Sequence, residues 1–278
     1  MLKTGKVLLG DRENASLDSE LVLANVLGQP KEYLLSHSTD EIEPGLVELF
    51  KKSMERVKAG EPVAYILNEK EFFGLNFFVD NRALVPRPET EQIVERVFEF
   101  MEREGNEDRI FRVLDVGTGS GNIAVAIAKH ERVSEVLALD VDKDALEVAR
   151  INVQQFSLEQ SVQLVESDLL EVVEEGEKFD IIVANLPYIG TVKNNYVSAS
   201  SEKYEPHVAL FGGEDGLELY KKMFQQIIDK RIGFDLLIGE FGFAQEENVC
   251  NILSTNFVQS WKIEKDLAGI ERIFIVSK

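Results

Sequence analysis

Asp115-Val116-Gly117-Thr118-Gly119-Ser120-Gly121 is the first stretch of this chain whose residue types could do chemistry. It follows an apolar segment, FRVLDV, and runs into the helical pattern Ile123 to Ala128. Glycines accept tight backbone angles and let a ligand approach the main chain. In an open α/β sheet such a loop lies at the carboxyl end of its strand, where ligands bind. A dinucleotide loop would need G-x-G-x-x-G, and Asn122 stands at the third glycine position. No Gly-Lys-Ser/Thr follows either, which excludes a P-loop. Asp115 suits a cationic ligand group better than a pyrophosphate. Asp140 ends the next apolar segment, where a carboxylate can accept both hydroxyls of a ribose. A plain glycine turn beside a surface Asp is the competing reading, and it leaves the agreement of loop, strand, helix and second acid unexplained.

Acid, Gly-x-Gly-x-Gly, then acid at the end of the second strand is the pattern of S-adenosylmethionine enzymes. A second constellation, Asn185-Leu186-Pro187-Tyr188, follows the apolar segment FDIIVA. It fits methyl transfer to an amide or exocyclic nitrogen, a poor nucleophile because its lone pair is delocalised. Two acceptors aimed at the two N–H groups would orient that nitrogen and favour its pyramidalisation. The Asn185 side-chain oxygen and the Leu186 carbonyl can be those acceptors. Pro187 stiffens the turn, and Tyr188 offers a flat wall to a planar group. Taken alone, the tetrapeptide is equally an ordinary Asn-x-Pro turn; its place after this strand favours the chemical reading.

These residues need a scaffold, and the chain supplies the pattern of one. Strand segments are read at 111–116, 135–140, 162–166, 179–184, 234–240, 257–264 and 270–276, with helical patterns between the first several. Such alternation predicts an α/β domain with a mainly parallel sheet. The last two strands lack a clear helix between them and predict an antiparallel pair at one edge. Residues 17–59 carry helical spacing, broken at Gly28-Gln29-Pro30. Residues 71–80 read as a β-hairpin, ending in Leu84-Val85-Pro86-Arg87-Pro88. The expected division is a helical docking domain at 1–70, a hairpin linker at 71–88 and a catalytic domain at 89–278.

Composition narrows the partners. The 278 residues carry 50 acidic and 30 basic side chains, a net charge of −20, which argues against gripping a phosphate backbone. One cysteine, Cys250, excludes an internal disulfide, and His37, His130 and His207 have no metal-ligand spacing. No signal-peptide core and no membrane-length apolar run is present, so a soluble cytoplasmic protein is expected.

With these motifs in place, the sequence resembles the protein-(glutamine-N5) methyltransferases that modify bacterial class 1 peptide release factors. The resemblance runs from about residue 17 to the end. It rests on Pro62-Val63-Ala64-Tyr65-Ile66-Leu67, Glu71-Phe72-Phe73-Gly74-Leu75, Val85-Pro86-Arg87-Pro88-Glu89-Thr90-Glu91, Asp115 to Gly121, Tyr204-Glu205-Pro206, Ala209 to Gly216 and Asp266 to Arg272. It implies a class I S-adenosylmethionine-dependent methyltransferase fold with seven strands, a Rossmann-like, mostly parallel sheet. The substrate implied is the glutamine of the release factor's Gly-Gly-Gln loop. The cofactor would be S-adenosylmethionine, leaving as S-adenosylhomocysteine, and the helical bundle would help dock the release factor. Cofactor contacts are expected from Asp115, Gly117, Thr118, Gly119, Ser120, Gly121, Asp140, Asp168, Leu169 and Asn185. Substrate contacts are expected from Asn185, Leu186, Pro187 and Tyr188, with Asn185, Pro187 and Tyr188 catalytic and no metal. Two departures stand out: Leu186 replaces the family's first proline of Asn-Pro-Pro-Tyr, and the N-terminus looks shorter.

Several features remain open on the sequence. Ser167-Asp168-Leu169 flanks the adenine or is a polar turn; Arg87-Pro88-Glu89-Thr90 walls the site or caps a helix. The polar stretch 190–206 is read as a cover or guide for the substrate. Glu171, Glu174, Glu175 and Glu177 read as a solvated loop. The rivals are an adenine-N6 methyltransferase of nucleic acid and a non-catalytic S-adenosylmethionine-binding module. The charge opposes the first, and intact Asn185 and Tyr188 oppose the second.

Overall fold

The computed structural model describes residues 1–278 except 11, 13, 105–107 and 193–196. The chain begins with α1 (Leu2–Leu9), α2 (Ala15–Leu27), the one-turn α3 (Tyr33–Ser36), α4 (Pro44–Lys58) and α5 (Val63–Leu67). Gly28 ends α2 in the left-handed conformation that closes many helices, and Pro44 opens α4 where its missing N–H costs nothing. Phe50, Met54 and Val57 of α4 pack on Val22 and Leu23 of α2, with Leu34 and Ile66 completing this small core. Helical spacing in the sequence begins only at residue 17, so α1 and α5 are additions. α1 lies against α2 and α4 at Gly5, where a Cβ would stand 2.7 Å from Ser19 Oγ and 2.9 Å from Phe50 Cζ. The glycine that weakens the local helical signal is what permits the close packing.

β1 (Lys70–Phe72) and β2 (Leu75–Phe77) pair antiparallel. The paired part is shorter than the 71–80 read from sequence. Phe78 leaves the ladder because its N–H donates to Asn152 Oδ1 at 2.7 Å and its carbonyl accepts from Asn152 Nδ2 at 3.0 Å. A 3-10 turn at Pro88–Thr90 then leads into α6 (Glu91–Arg103).

The rest runs β3 (Phe111–Val116), α7 (Asn122–Ala128), β4 (Val133–Asp140), α8 (Lys143–Gln155), β5 (Val162–Glu166), β6 (Ile181–Ala184), α9 (Ala199–Tyr204), α10 (Glu218–Asp229), β7 (Leu236–Glu240), α11 (Glu246–Asn256), β8 (Ser260–Lys265) and β9 (Glu271–Ser277), alternating as expected except that no helix among the described residues separates β5 from β6. Among the described residues, seven strands form one sheet in the order β5-β4-β3-β6-β7-β9-β8. All run parallel except β9, which is antiparallel to both β7 and β8 and gives the edge pair expected from the sequence. Alternate residues of each strand enter two cores. Val113, Val136, Ile181 and Ile238 meet α6 and α7, whereas Leu114, Leu139, Ile182 and Leu237 meet α10 and α11. Burial on both faces explains the unbroken apolar strand sequences.

Strand order reverses at β3, which has β4 on one side and β6 on the other. Val116 is in register with Leu139 and with Ala184, so the loops leaving β3, β4 and β6 emerge side by side. A ligand crevice belongs at this point of an open sheet. No helix among the described residues is long and apolar enough to cross a membrane.

Candidate active site

The glycine loop is built into the end of β4. Gly117 N and Thr118 N both donate to Leu139 O, at 2.8 and 2.9 Å. Gly119 N donates to Asp140 Oδ2 at 2.8 Å, and Asp142 N donates to Asp140 Oδ1 at 2.9 Å. Gly117, Gly119 and Gly121 all have positive φ, between 55° and 77°. Two of them serve different ends. A Cβ on Gly121 would press on Ala149 of α8 at 3.2 Å, whereas one on Gly119 would enter open space within the crevice. Asn152, fully buried on α8, donates to Ser120 O at 2.8 Å while holding Phe78, and so ties the loop to the hairpin.

Asp115 lies beneath this loop, fully buried. Its Oδ2 accepts from Thr118 Oγ1 at 2.7 Å, and its Oδ1 makes no hydrogen bond among the described residues. Burial pushes its carboxyl up to about 7, the Thr118 hydroxyl and the Ala124 amide pull it down, and Asp140 adds like charge. Burial also raises the carboxyl of Asp140.

The Asn185-Leu186-Pro187-Tyr188 turn leaves β6 beside the loop and is held from three sides. Tyr220 of α10 shares its one hydroxyl proton between Glu240 O at 2.5 Å and Ala184 O at 3.1 Å, and its hydroxyl accepts from Leu186 N at 3.3 Å. The segment 209–216 runs alongside: Ile189 N donates to Leu210 O, and Gly212 N donates to Ile189 O, both at 3.0 Å. Gly212 and Gly216 lie so near Pro187 O and Tyr188 O that a Cβ on either would come within 2.1 Å. Gln245 completes the clamp by donating from Nε2 to Tyr188 O at 2.8 Å. On the third side, Asn185 Nδ2 donates to Thr90 Oγ1 at 3.1 Å, and Thr90 Oγ1 donates to Glu240 Oε2 at 2.6 Å. Tyr188 donates its hydroxyl to Glu240 Oε1 at 3.0 Å. Burial and the Glu240 carboxylate hold the Tyr188 phenol well above its ordinary range, so it stays a donor.

Two adjoining cavities meet at this turn. The first, about 220 Å³, is lined by Gly117, Thr118, Gly119, Ser120, Asp140, Asp168 and Leu169 among others. The second, about 370 Å³, reaches Tyr188, Ile189, Ser198 and Ser201. Asn185, Leu186 and Pro187 line both, as do Leu84 and Arg87. Asp168 sits at the rim and pairs with Lys222 at 2.5 Å. Leu169 has φ +54°, a conformation unfavourable for a branched side chain and found where surrounding packing imposes it.

Comparison with known proteins matches this arrangement to described relatives. The chain is 36% identical to the release factor glutamine methyltransferase of Clostridium acetobutylicum, over 93% of this chain and 90% of that protein. It is 35% identical to the one of Bacillus subtilis, over 95% and 90%. The chain belongs to the release factor glutamine methyltransferase family. Residues 1–67 of this family member match the PrmC N-terminal domain, and residues 99–200 match the Methyltransferase small domain. The N-terminal domain of human METTL16, solved in complex with SAH, superposes with a TM-score of 0.57 at 18% identity, covering 80% of this chain and 83% of that one. That likeness shows a shared class I methyltransferase fold.

For the residues expected from this family member's sequence, the structure brings Gly117, Thr118, Gly119, Ser120, Asp140, Asp168, Leu169, Asn185, Leu186 and Pro187 around the first cavity. Asp115 and Gly121 support the loop from behind, and Tyr188 faces the second cavity. Of the stretch 190–206, residues 193–196 lie outside the described residues; Val197, Ser198 and Ser201 line the second cavity. Of the Arg87-Pro88-Glu89-Thr90 alternatives, Arg87 and Thr90 line the first cavity. Sequence reasoning did not reach Glu240, Asn152, Tyr220 or Gln245. Only the 209–216 motif carried a trace, through its closely spaced glycines.

Proposed function

We propose that the protein transfers a methyl group from S-adenosylmethionine to the side-chain amide nitrogen of the glutamine in the Gly-Gly-Gln loop of class 1 peptide release factors. The observation that carries this reading is the Asn185-Leu186-Pro187 turn lining two adjoining cavities, one floored by the glycine loop and one open beyond it. The first cavity fits the cofactor. Gly119 keeps its wall free of side chain and Asp140 offers a carboxylate, while Asp115 beneath the loop holds Thr118 in place. Gly117, Thr118, Ser120, Asp168 and Leu169 complete the holding set. When bound, S-adenosylmethionine supplies an electrophilic methyl group on a sulfonium and leaves as S-adenosylhomocysteine.

The chain's own part is alignment. Asn185 Oδ1 and the Leu186 carbonyl accept from the two N–H groups of the target amide and turn its nitrogen lone pair toward the first cavity. Tyr188 and Pro187 bound the planar amide, and 197–201 guides the loop that carries it. No general base is required, because the amide nitrogen becomes acidic as it is alkylated. Holding the two reactants in line supplies most of the rate. The substrate is a protein, and the −20 charge opposes direct nucleic-acid binding. The enzyme works in the cytoplasm with the release factors.

Asn185→Ala should lower single-turnover methylation by about 10²–10³, as for other single polar groups that act in a transition state. Cofactor affinity, read by calorimetry, should change far less. The assay pairs a Gly-Gly-Gln release factor with an adenine-containing RNA. Methylation of the RNA with the release factor untouched would overturn the reading.

A further inference from the structure

We infer that Glu240 and Thr90 are positioning residues that decide which end of the Asn185 side-chain amide faces the substrate. The inference rests on the proposed acceptor role of Asn185 Oδ1. An asparagine amide presents an oxygen on one side and an NH₂ on the other, and rotation by half a turn exchanges them. With the wrong face forward, a donor would meet the two N–H groups of the target, and the alignment would be lost. Among the described residues, the partner of the Asn185 side-chain amide is Thr90, which lies outside the turn.

The choice is made by a chain of hydrogen bonds that starts on the neighbouring strand. Glu240 ends β7, one strand from β6, and its side chain is fully buried. Both of its carboxylate oxygens meet hydroxyls: Thr90 Oγ1 at 2.6 Å and Tyr188 Oη at 3.0 Å. A carboxylate can only accept, so the single Thr90 proton points to Glu240. Thr90 Oγ1 is then left as an acceptor toward Asn185, 3.1 Å away, and that position must be filled by Nδ2. Oδ1 is thereby turned to the opposite side of the amide. The same carboxylate holds Tyr188, so one buried charge orients two members of the turn. Thr90 is itself buried at the 3-10 turn before α6, as Glu240 is at the end of β7.

The polarity of the chain depends on Glu240 being an acceptor. An amide or protonated acid at 240 can donate to Thr90 Oγ1. Thr90 would then donate to Asn185 Oδ1, and Nδ2 would face the substrate. Glu240→Gln preserves size and shape, and should lower turnover about tenfold or more while leaving cofactor affinity within about twofold. Thr90→Val, equal in shape but without the hydroxyl, should do the same, and Thr90→Ser should restore turnover to within about threefold. In an Asn185→Ala background, Thr90→Val should add almost nothing, because its effect passes through Asn185. Single-turnover rates and cofactor calorimetry on all variants make the test. If Asn185→Ala itself leaves turnover intact, the acceptor role falls and the chain of bonds with it. If Asn185→Ala is impaired but Glu240→Gln and Thr90→Val match the parent, the acceptor role stands and the positioning role is overturned. A Thr90→Val loss that persists undiminished without Asn185 would also overturn it.

Discussion

Asp115 sits in an environment far from what its type would suggest. A carboxyl that holds its proton to about pH 7 when folded, but releases it near its ordinary 3.8 when unfolded, makes the folded chain bind the extra proton between those values. Stability therefore falls as pH rises through that window, by on the order of a few kcal/mol. Asp115→Asn removes this dependence. Between about pH 5 and about pH 8 its melting temperature should fall less than that of the parent. Identical slopes in the two proteins would show that Asp115 is already ionised in the folded chain. Leu186 illustrates a different residue-scale lesson. Its side chain is buried against Gly117, where a Cβ would come within 2.9 Å of Leu186 Cδ2. Leucine at this position thus keeps its backbone carbonyl free for the substrate side while its side chain fills space against the loop.

Among the elements, α9 connects the helical bundle to the rim of the site. Ser200 Oγ donates to Gly60 O at 2.6 Å, and Tyr204 Oη donates to Ala59 O at 3.0 Å, using carbonyls left over at the end of α4. Just past Tyr204, Glu205 is buried and accepts from Val85 N at 3.1 Å and Arg87 Nη2 at 2.6 Å. Tyr65 of α5 fixes the same 83–87 segment by donating to Ala83 O at 2.7 Å. Ala83, Leu84 and Arg87 line the first cavity, so the bundle's position bears on the site through these two anchors. Glu205→Ala would orphan the buried Val85 N–H and free a partly solvated arginine. A loss of about 2 kcal/mol follows from those two groups. Urea unfolding should show a lower midpoint with an unchanged slope, and an unmoved midpoint would mean that the segment is held without Glu205.

At the scale of the whole molecule, the charge of −20 is the dominant long-range property. Such a field speeds encounter with a basic surface and repels polyanions. The association rate with a release factor should fall about tenfold from low to physiological salt, with dissociation little changed. Stopped-flow measurements at several ionic strengths test this, and a salt-independent rate would remove steering from the docking step.

The alternation of strands and helices, the glycine loop and the Asn-Leu-Pro-Tyr turn are legible in the amino-acid sequence because each is a local pattern. Apolar runs of strand length, helical spacing and left-handed turns leave their mark within a few neighbouring residues. Strands 111–116 and 162–166 are read to the residue, whereas α1 escapes because Gly5 answers to Ser19 and Phe50 rather than to its own helix. The support of the site leaves no such mark. Thr90 meets Asn185 across 95 residues and Glu240 across 150, and Asn152 meets Phe78 across 74. A threonine before a helix or a glutamate at a strand end has many ordinary uses. Only the tertiary arrangement, which sets β7 beside β6 and packs α6 against β7, turns these two into partners of one asparagine.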